Sequence, residues 1–174
     1  VTAAMIKQIM PNSAACSGSG ATASQCRTAD QAVTFVNAAW IKYKITSRAA
    51  QAATLAWQAL ESVEYKFDTN QVPGTPGQGT RNMQMPHFNS EYASSLGYDV
   101  AGAGGDVTKI LALVLNDADS FASASWFVST KCPAVLTQFD SDPEGAWTAM
   151  HSSGCIDTTM TSDRIKYWTA AKAA

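Results

Sequence analysis

Histidine is almost missing from this chain of 174 residues, which has two, and cysteine comes to only four. With His87 and His151 out of ligand spacing and no Cys-x-x-Cys pair, a zinc site has no support. Neither histidine lies near a Gly-x-Ser-x-Gly step, so a serine–histidine nucleophile has little support either. Charge is scarce too. Charged residues make up 15% and the formal net charge is −2, so the whole chain carries no electrostatic footprint for nucleic acid or anionic lipid. No apolar run approaches the roughly 20 residues of a membrane span. The glycines at 102, 104 and 105 lack the full Gly-x-Gly-x-x-Gly spacing, and no strand precedes them. Gly74, Gly77 and Gly79 are not followed by Lys-Ser/Thr, which excludes a phosphate-binding loop. No cofactor and no metal is expected.

What remains is one chain of a size that builds one core, read as a single domain over 1–174. The four cysteines fall into two close pairs. Of three possible connectivities, the local ones, Cys16–Cys26 and Cys132–Cys155, are favoured because each clips a loop between sequence neighbours. The first clips the N-terminal segment 1–27. An even cysteine count with few charges suits an oxidising, extracellular location. A chain that begins at Val1 reads as one whose signal peptide has gone, so secretion is expected.

Along the chain, apolar residues recur mostly at helical intervals. Thr28 and Gln31 have capping-box spacing ahead of Val33, Val36 and Trp40. Ser47 reads as the next N-cap, before a helix apolar nearly all round and therefore central. Asn12–Ser24 is small, polar and linker-like. Asn89 opens a short helix ending at Gly97, Asp106 caps Val107–Leu115, and another helix runs from Asp119. Pro133 begins a further turn or helix, Pro143 sits at a helix start, and Thr161 or Ser162 starts the last helix. About seven helices with little strand signal make a mainly α fold.

The chemistry concentrates in Trp57–Asn89. There the central helix ends with Glu61 and Glu64, one turn apart, before a loop rich in glycine and proline. The negative end of a helix dipole and apolar surroundings both favour the protonated form of a carboxyl, as a proton donor requires. Glu61 follows Ala59-Leu60 and is expected to be the more buried; Glu64 precedes Tyr65-Lys66, near an exposed exit. Sharing one helix face, both would look into one cleft. Read as a strand, Thr80–Met85 puts Arg81, Met83 and Met85 on one face and Asn82 and Gln84 on the other. Amide side chains suit sugar hydroxyls and acetamido groups. The plain alternatives stay open: solvated glutamates on a helix surface, and amides that satisfy backbone groups in a turn. Of five tryptophans, Trp126 beside Phe127 is the preferred sugar platform; the rest are core candidates.

Glu61-Ser62 at a helix end, followed about twenty residues later by Met83-Gln84-Met85, resembles the lysozyme-like superfamily. More closely, Glu61–Phe67 (ESVEYKF), Pro76–Pro86 (PGQGTRNMQMP), Asp119–Phe127 (DSFASASWF), the Lys131-Cys132-Pro133 step and Tyr167-Trp168 resemble a family of secreted fungal muramidases. The likeness runs from Cys26 to near the C-terminus. It implies a lysozyme-like α+β fold with a short β-wing beside the cleft. It also implies a monomeric, antimicrobial enzyme acting on peptidoglycan, with neither nucleic acid nor membrane as partner. Glu61 would be the general acid and Glu64 the acidic residue one turn on. Substrate contacts are expected from Tyr65, Asp68, Gln78, Thr80, Arg81, Asn82, Gln84, His87, Tyr92 and Trp126.

The activity expected is hydrolysis of the β-1,4 bond between N-acetylmuramic acid and N-acetylglucosamine. Attack by water from the far face would give inversion, with Glu64 or Asp68 as base or only amides as positioning groups. Chitin is the second substrate of this class. The alternative of another class is a wall-binding or effector protein of lysozyme shape without turnover.

Overall fold

In the computed structural model, which describes residues 1–16, 24–71, 73–152 and 154–174, nine α-helices form around one apolar cluster. They are α1 (Ala3–Ile9), α2 (Ala29–Lys42), α3 (Arg48–Glu61), α4 (Pro86–Ser95), α5 (Val107–Leu113), α6 (Asp117–Lys131), α7 (Pro133–Gln138), α8 (Pro143–His151) and α9 (Ser162–Ala173). The chain is mainly helical, as expected. Part of the linker-like stretch, residues 17–23, lies outside the described residues, as does Val72 in the loop after α3.

Local signals account for most helix starts. Thr28 and Gln31 close a reciprocal capping box at α2, and Asp106 accepts from the amides of Thr108 and Lys109 at α5. Asp142 and Pro143 open α8, and the Thr161 hydroxyl caps α9. Two starts differ from expectation. α4 begins at Pro86 rather than Asn89, because Pro is preorganised for the first helical position. α6 begins at Asp117, capped by Asn116. Ser47 precedes α3 but does not cap it; its hydroxyl reaches the Phe139 carbonyl instead.

α3 is the central helix, buried from Ala50 through Ala59 at all but one position, Gln51. Its Ala-rich face lets α9 pack closely against it, while α2 packs on α6 and α4 on α5. Trp57 and Phe127 meet edge to face across α3 and α6, at 5.3 Å between centroids.

The β-wing is not formed as a strand pair. Among the described residues, the segment after α3 makes only isolated bridges, Thr69 with Gly79 and Gly79 with Gln84. Thr80 and Met83 take φ values of 64° and 47°, which breaks the alternation a strand needs. At Gly79, a Cβ would come within 2.6 Å of the Asp68 carbonyl, so this close crossing of two chain segments requires glycine. Both expected disulfides, Cys16–Cys26 and Cys132–Cys155, are present, and no free cysteine remains.

Candidate active site

α3 ends at Glu61, and the chain then does something no helix periodicity foretells. Val63, Glu64 and Tyr65 take φ values of 51°, 56° and 68°, three successive non-glycine residues in the left-handed region. Each such residue costs roughly 1–2 kcal/mol, so the surroundings must enforce the turn. Ser62 does much of this. Its hydroxyl meets the Gln58 carbonyl at 2.6 Å and receives the Tyr65 amide at 2.8 Å, while the Glu64 amide donates back to Ala59 at 2.8 Å. Tyr65 is fully buried, donates to Gln58 at 3.1 Å, and has its phenol pushed upward by burial.

This turn separates the two glutamates. Glu64 is 6% exposed and points away from the cleft, accepting from the Asn12 amide at 2.6 Å and the Tyr167 hydroxyl at 2.8 Å. The shared face and the ranking of burial are therefore corrected: left-handed backbone, not helix, joins the two residues. Glu61 is the accessible one, its side chain 22% exposed, and it is paired with Arg164 of α9 at 2.7 Å. The apolar surroundings expected for it are replaced by a guanidinium.

Glu61 lies in a groove made of three cavities in a row. The central one, about 260 Å³, is lined by Glu61, Trp57, Gln78, Asn82, Gln84, Met83, Met85, Phe88 and Phe127, together with Ile156, Asp157, Thr158 and Arg164 from the C-terminal part of the chain. A second, about 310 Å³, shares Glu61, Gln78 and Met83 and continues past Thr69, Asn70 and Gln71. A third, about 480 Å³, shares Met85, Phe88, Phe127, Ile156 and Asp157 and continues to His87 and Lys131. Glu61 thus stands where the first two cavities join. Such an open, elongated trough suits a polymer better than a small enclosed ligand.

Most of the other expected contacts serve the wall itself. Arg81 is fully buried. It donates to the carbonyls of Tyr65 and Phe67 at 3.1 Å each and of Gln25 at 2.6 Å, and it sits 4.8 Å over the Phe121 ring. Burial lowers its pKa to about 10, with the Asp68 carboxylate 3.7 Å away working against the drop. Burial pushes the Asp68 carboxyl upward, with Arg81 opposing. Asp68 is buried beside Arg81 and lines none of the three cavities, which removes it from the place of a base.

Thr80 is fully buried and donates to Asn82 at 2.8 Å; Asn82 in turn faces Gln84 at 3.3 Å. Gln84 donates to Asn89 at 2.8 Å, Asn89 to the Gly77 carbonyl at 2.8 Å, and Gln78 to the Met83 carbonyl at 2.9 Å. Thr80 and Arg81 are fully buried and line none of the three cavities, so neither reaches a ligand in the groove. Gln78, Asn82 and Gln84 keep a surface on it while holding one another. Tyr92 is fully buried, with its hydroxyl on the Asp119 carbonyl at 2.9 Å, and Trp126 packs on it at 4.8 Å. Neither offers a stacking face. The tryptophan at the groove is Trp57.

Arg164, Asp157, Thr158 and Trp57 were not among the expected site residues. The first three reach the groove because the C-terminal part of the chain folds back onto α3, and no local motif marks them; Trp57 sits on α3 itself, one turn before Glu61. Among the described residues, no cluster of His, Cys, Asp and Glu suitable for a metal ion forms.

No family model matches the chain, and no solved structure matches it. A curated protein of Fusarium oxysporum (strain Fo5176), described as a bifunctional dioxygenase–epoxy alcohol synthase, is 33% identical over 155 residues. The match covers 83% of this chain and 12% of that protein. The chain therefore spans about an eighth of the relative, whose two named activities belong to a far larger molecule.

Proposed function

We propose that the groove binds a glycan strand and that the chain is a secreted muramidase, hydrolysing the β-1,4 bond between N-acetylmuramic acid and N-acetylglucosamine in peptidoglycan. The observation that carries this reading is Glu61, an accessible carboxyl at the junction of two cavities within a trough of three. In this role Glu61 protonates the leaving glycosidic oxygen. Gln78, Asn82 and Gln84 offer amide groups along the same wall, suited to hydroxyl and acetamido partners. The two disulfides fit an oxidising compartment, and secretion extends that coarser reading.

A second reading is favoured by one observation. Arg164 pairs with Glu61 at 2.7 Å, so the accessible glutamate of the groove is already engaged by a guanidinium. A groove that grips wall glycan without cleaving it needs no proton donor. The two readings separate in one experiment. Reducing-end release from purified peptidoglycan and from chitin is measured for the wild type and for Glu61→Gln, together with retention on insoluble wall. Turnover of peptidoglycan that disappears in Glu61→Gln supports the muramidase. Turnover of chitin alone redirects the substrate, and retention without turnover supports the binding protein.

A further inference from the structure

Glycoside cleavage with two carboxyls needs a second one across the scissile bond, and the two expected candidates, Glu64 and Asp68, are both buried away from the groove. We propose that Asp157 is that second carboxyl, the base that activates water for an inverting hydrolysis; this rests on the glycan-cleaving reading of the same groove. Among the described residues, Asp157 is the carboxylate besides Glu61 that lines the central cavity.

Its position is built. Asp157 takes a φ of 55°, held by its own amide on the Ser152 carbonyl at 3.2 Å. The flanking amides of Ile156 and Thr158 reach the carbonyls of Met150 and His151 at 3.0 and 2.9 Å. The Cys132–Cys155 bridge anchors the same loop to the end of α6. The carboxylate is exposed and belongs to none of the ion pairs among the described residues.

The neighbouring residue is tied to the acid: Thr158 Oγ1 is 3.4 Å from Arg164 Nη2, which is 2.7 Å from Glu61 Oε1. Trp57 and Arg164 also line this cavity, buried to 3% and 8% exposure.

The step balances with water as co-reactant. Asp157 takes a proton from water as the water oxygen bonds to the anomeric carbon. The bond from that carbon to the bridging oxygen breaks, and Glu61 gives its proton to the departing oxygen. Exchange with solvent then returns Glu61 to the acid form and Asp157 to the carboxylate.

The test uses the whole chain on soluble peptidoglycan oligosaccharides, with Asp157→Asn and Asp157→Ala beside the wild type. Asn tolerates left-handed backbone, so Asp157→Asn keeps the fold and carries the readings should Asp157→Ala fail to fold. The expected result is a fall in kcat of about 100-fold or more with little change in KM. Proton NMR of fresh wild-type product should show the α anomer, and azide should restore turnover of Asp157→Ala as the α-glycosyl azide. A wild type inert on every wall glycan overturns the glycan-cleaving reading and this inference with it. An active wild type that yields the β anomer, or an Asp157 variant that keeps kcat within threefold or loses it without azide rescue, overturns the role of Asp157 alone.

Discussion

The two walls of the groove are built in opposite ways. On one side, Asp68–Met85 has almost no regular structure but bonds heavily to itself, leaving only Arg81 Nε unmatched among its described buried side-chain atoms: Arg81 holds three carbonyls, and Thr80, Asn82, Gln84, Asn89 and Gln78 hydrogen-bond to one another or to backbone. On the other, Ile156–Arg164 is fixed by one disulfide, a few backbone bonds and a helix start, and it leaves side-chain groups unmatched. The lesson concerns which polar residues work. A loop without a ladder must satisfy its own donors and acceptors, so an abundance of amides and an arginine there signals wall construction first. The charged groups that face the groove come from elsewhere: Glu61 from the end of α3, and Asp157 and Arg164 from the second side.

If the first wall is structural, its breakage should show as lost stability. Arg81→Met should cost about 3–5 kcal/mol, because it strands a buried Asp68 and three carbonyls. Urea unfolding would measure this. A sugar contact would move KM alone, so an unchanged midpoint would break the contrast.

The second wall depends on its clip. Cys132→Ser with Cys155→Ser should lose about 3 kcal/mol by loop closure over a separation of 23 residues. It should also impair glycan turnover more than loss of Cys16–Cys26, neither of whose cysteines lines the groove. Thermal melts and turnover of the two double variants, compared side by side, test the asymmetry.

Behind Arg164, His151 is buried, with Nδ1 on the Trp147 carbonyl at 2.8 Å, and burial lowers its pKa to about 4, well below the ordinary imidazole value of 6.5. A folded-state value below the unfolded one stabilises fully above pH 6.5, and that contribution fades as the pH falls toward 4. Its size is on the order of 2 kcal/mol. The raised Asp68 works with the opposite sign, so the readout is the difference between wild type and His151→Gln in urea unfolding at pH 7 and pH 4.5. His151→Gln should be flatter over that window.

The smallest effect belongs to the hinge between the glutamates. Ser62→Ala should cost about 1–2 kcal/mol by leaving the Tyr65 amide without its acceptor. Chemical denaturation can detect it, and a neutral outcome would mean the left-handed turn is enforced elsewhere.

What was legible in the sequence is what is local. The Thr28–Gln31 box, the Asp106 cap, the Pro143 start and both disulfide pairings depend on residues close in the chain. The separation of Glu61 from Glu64 was not legible, because three non-glycine residues in left-handed backbone contradict intrinsic preference and are imposed by Ser62, Tyr65 and Gln58. Arg81 reads as a polar residue beside amides, and only the folded chain puts Phe121 beneath it. Arg164 stands more than one hundred positions from Glu61, so their pairing is a property of α9 lying on α3.

The central claim is that the accessible carboxyl at the cavity junction does the chemistry. Mass analysis of products from peptidoglycan strands, taken in parallel for wild type, Glu61→Gln and Glu64→Gln, tests it most directly. The account predicts fragments with N-acetylmuramic acid at the new reducing end from the wild type and from a destabilised but active Glu64→Gln, and none above background from Glu61→Gln at equal folded concentration. Full turnover by Glu61→Gln, or turnover lost only in Glu64→Gln, would contradict it.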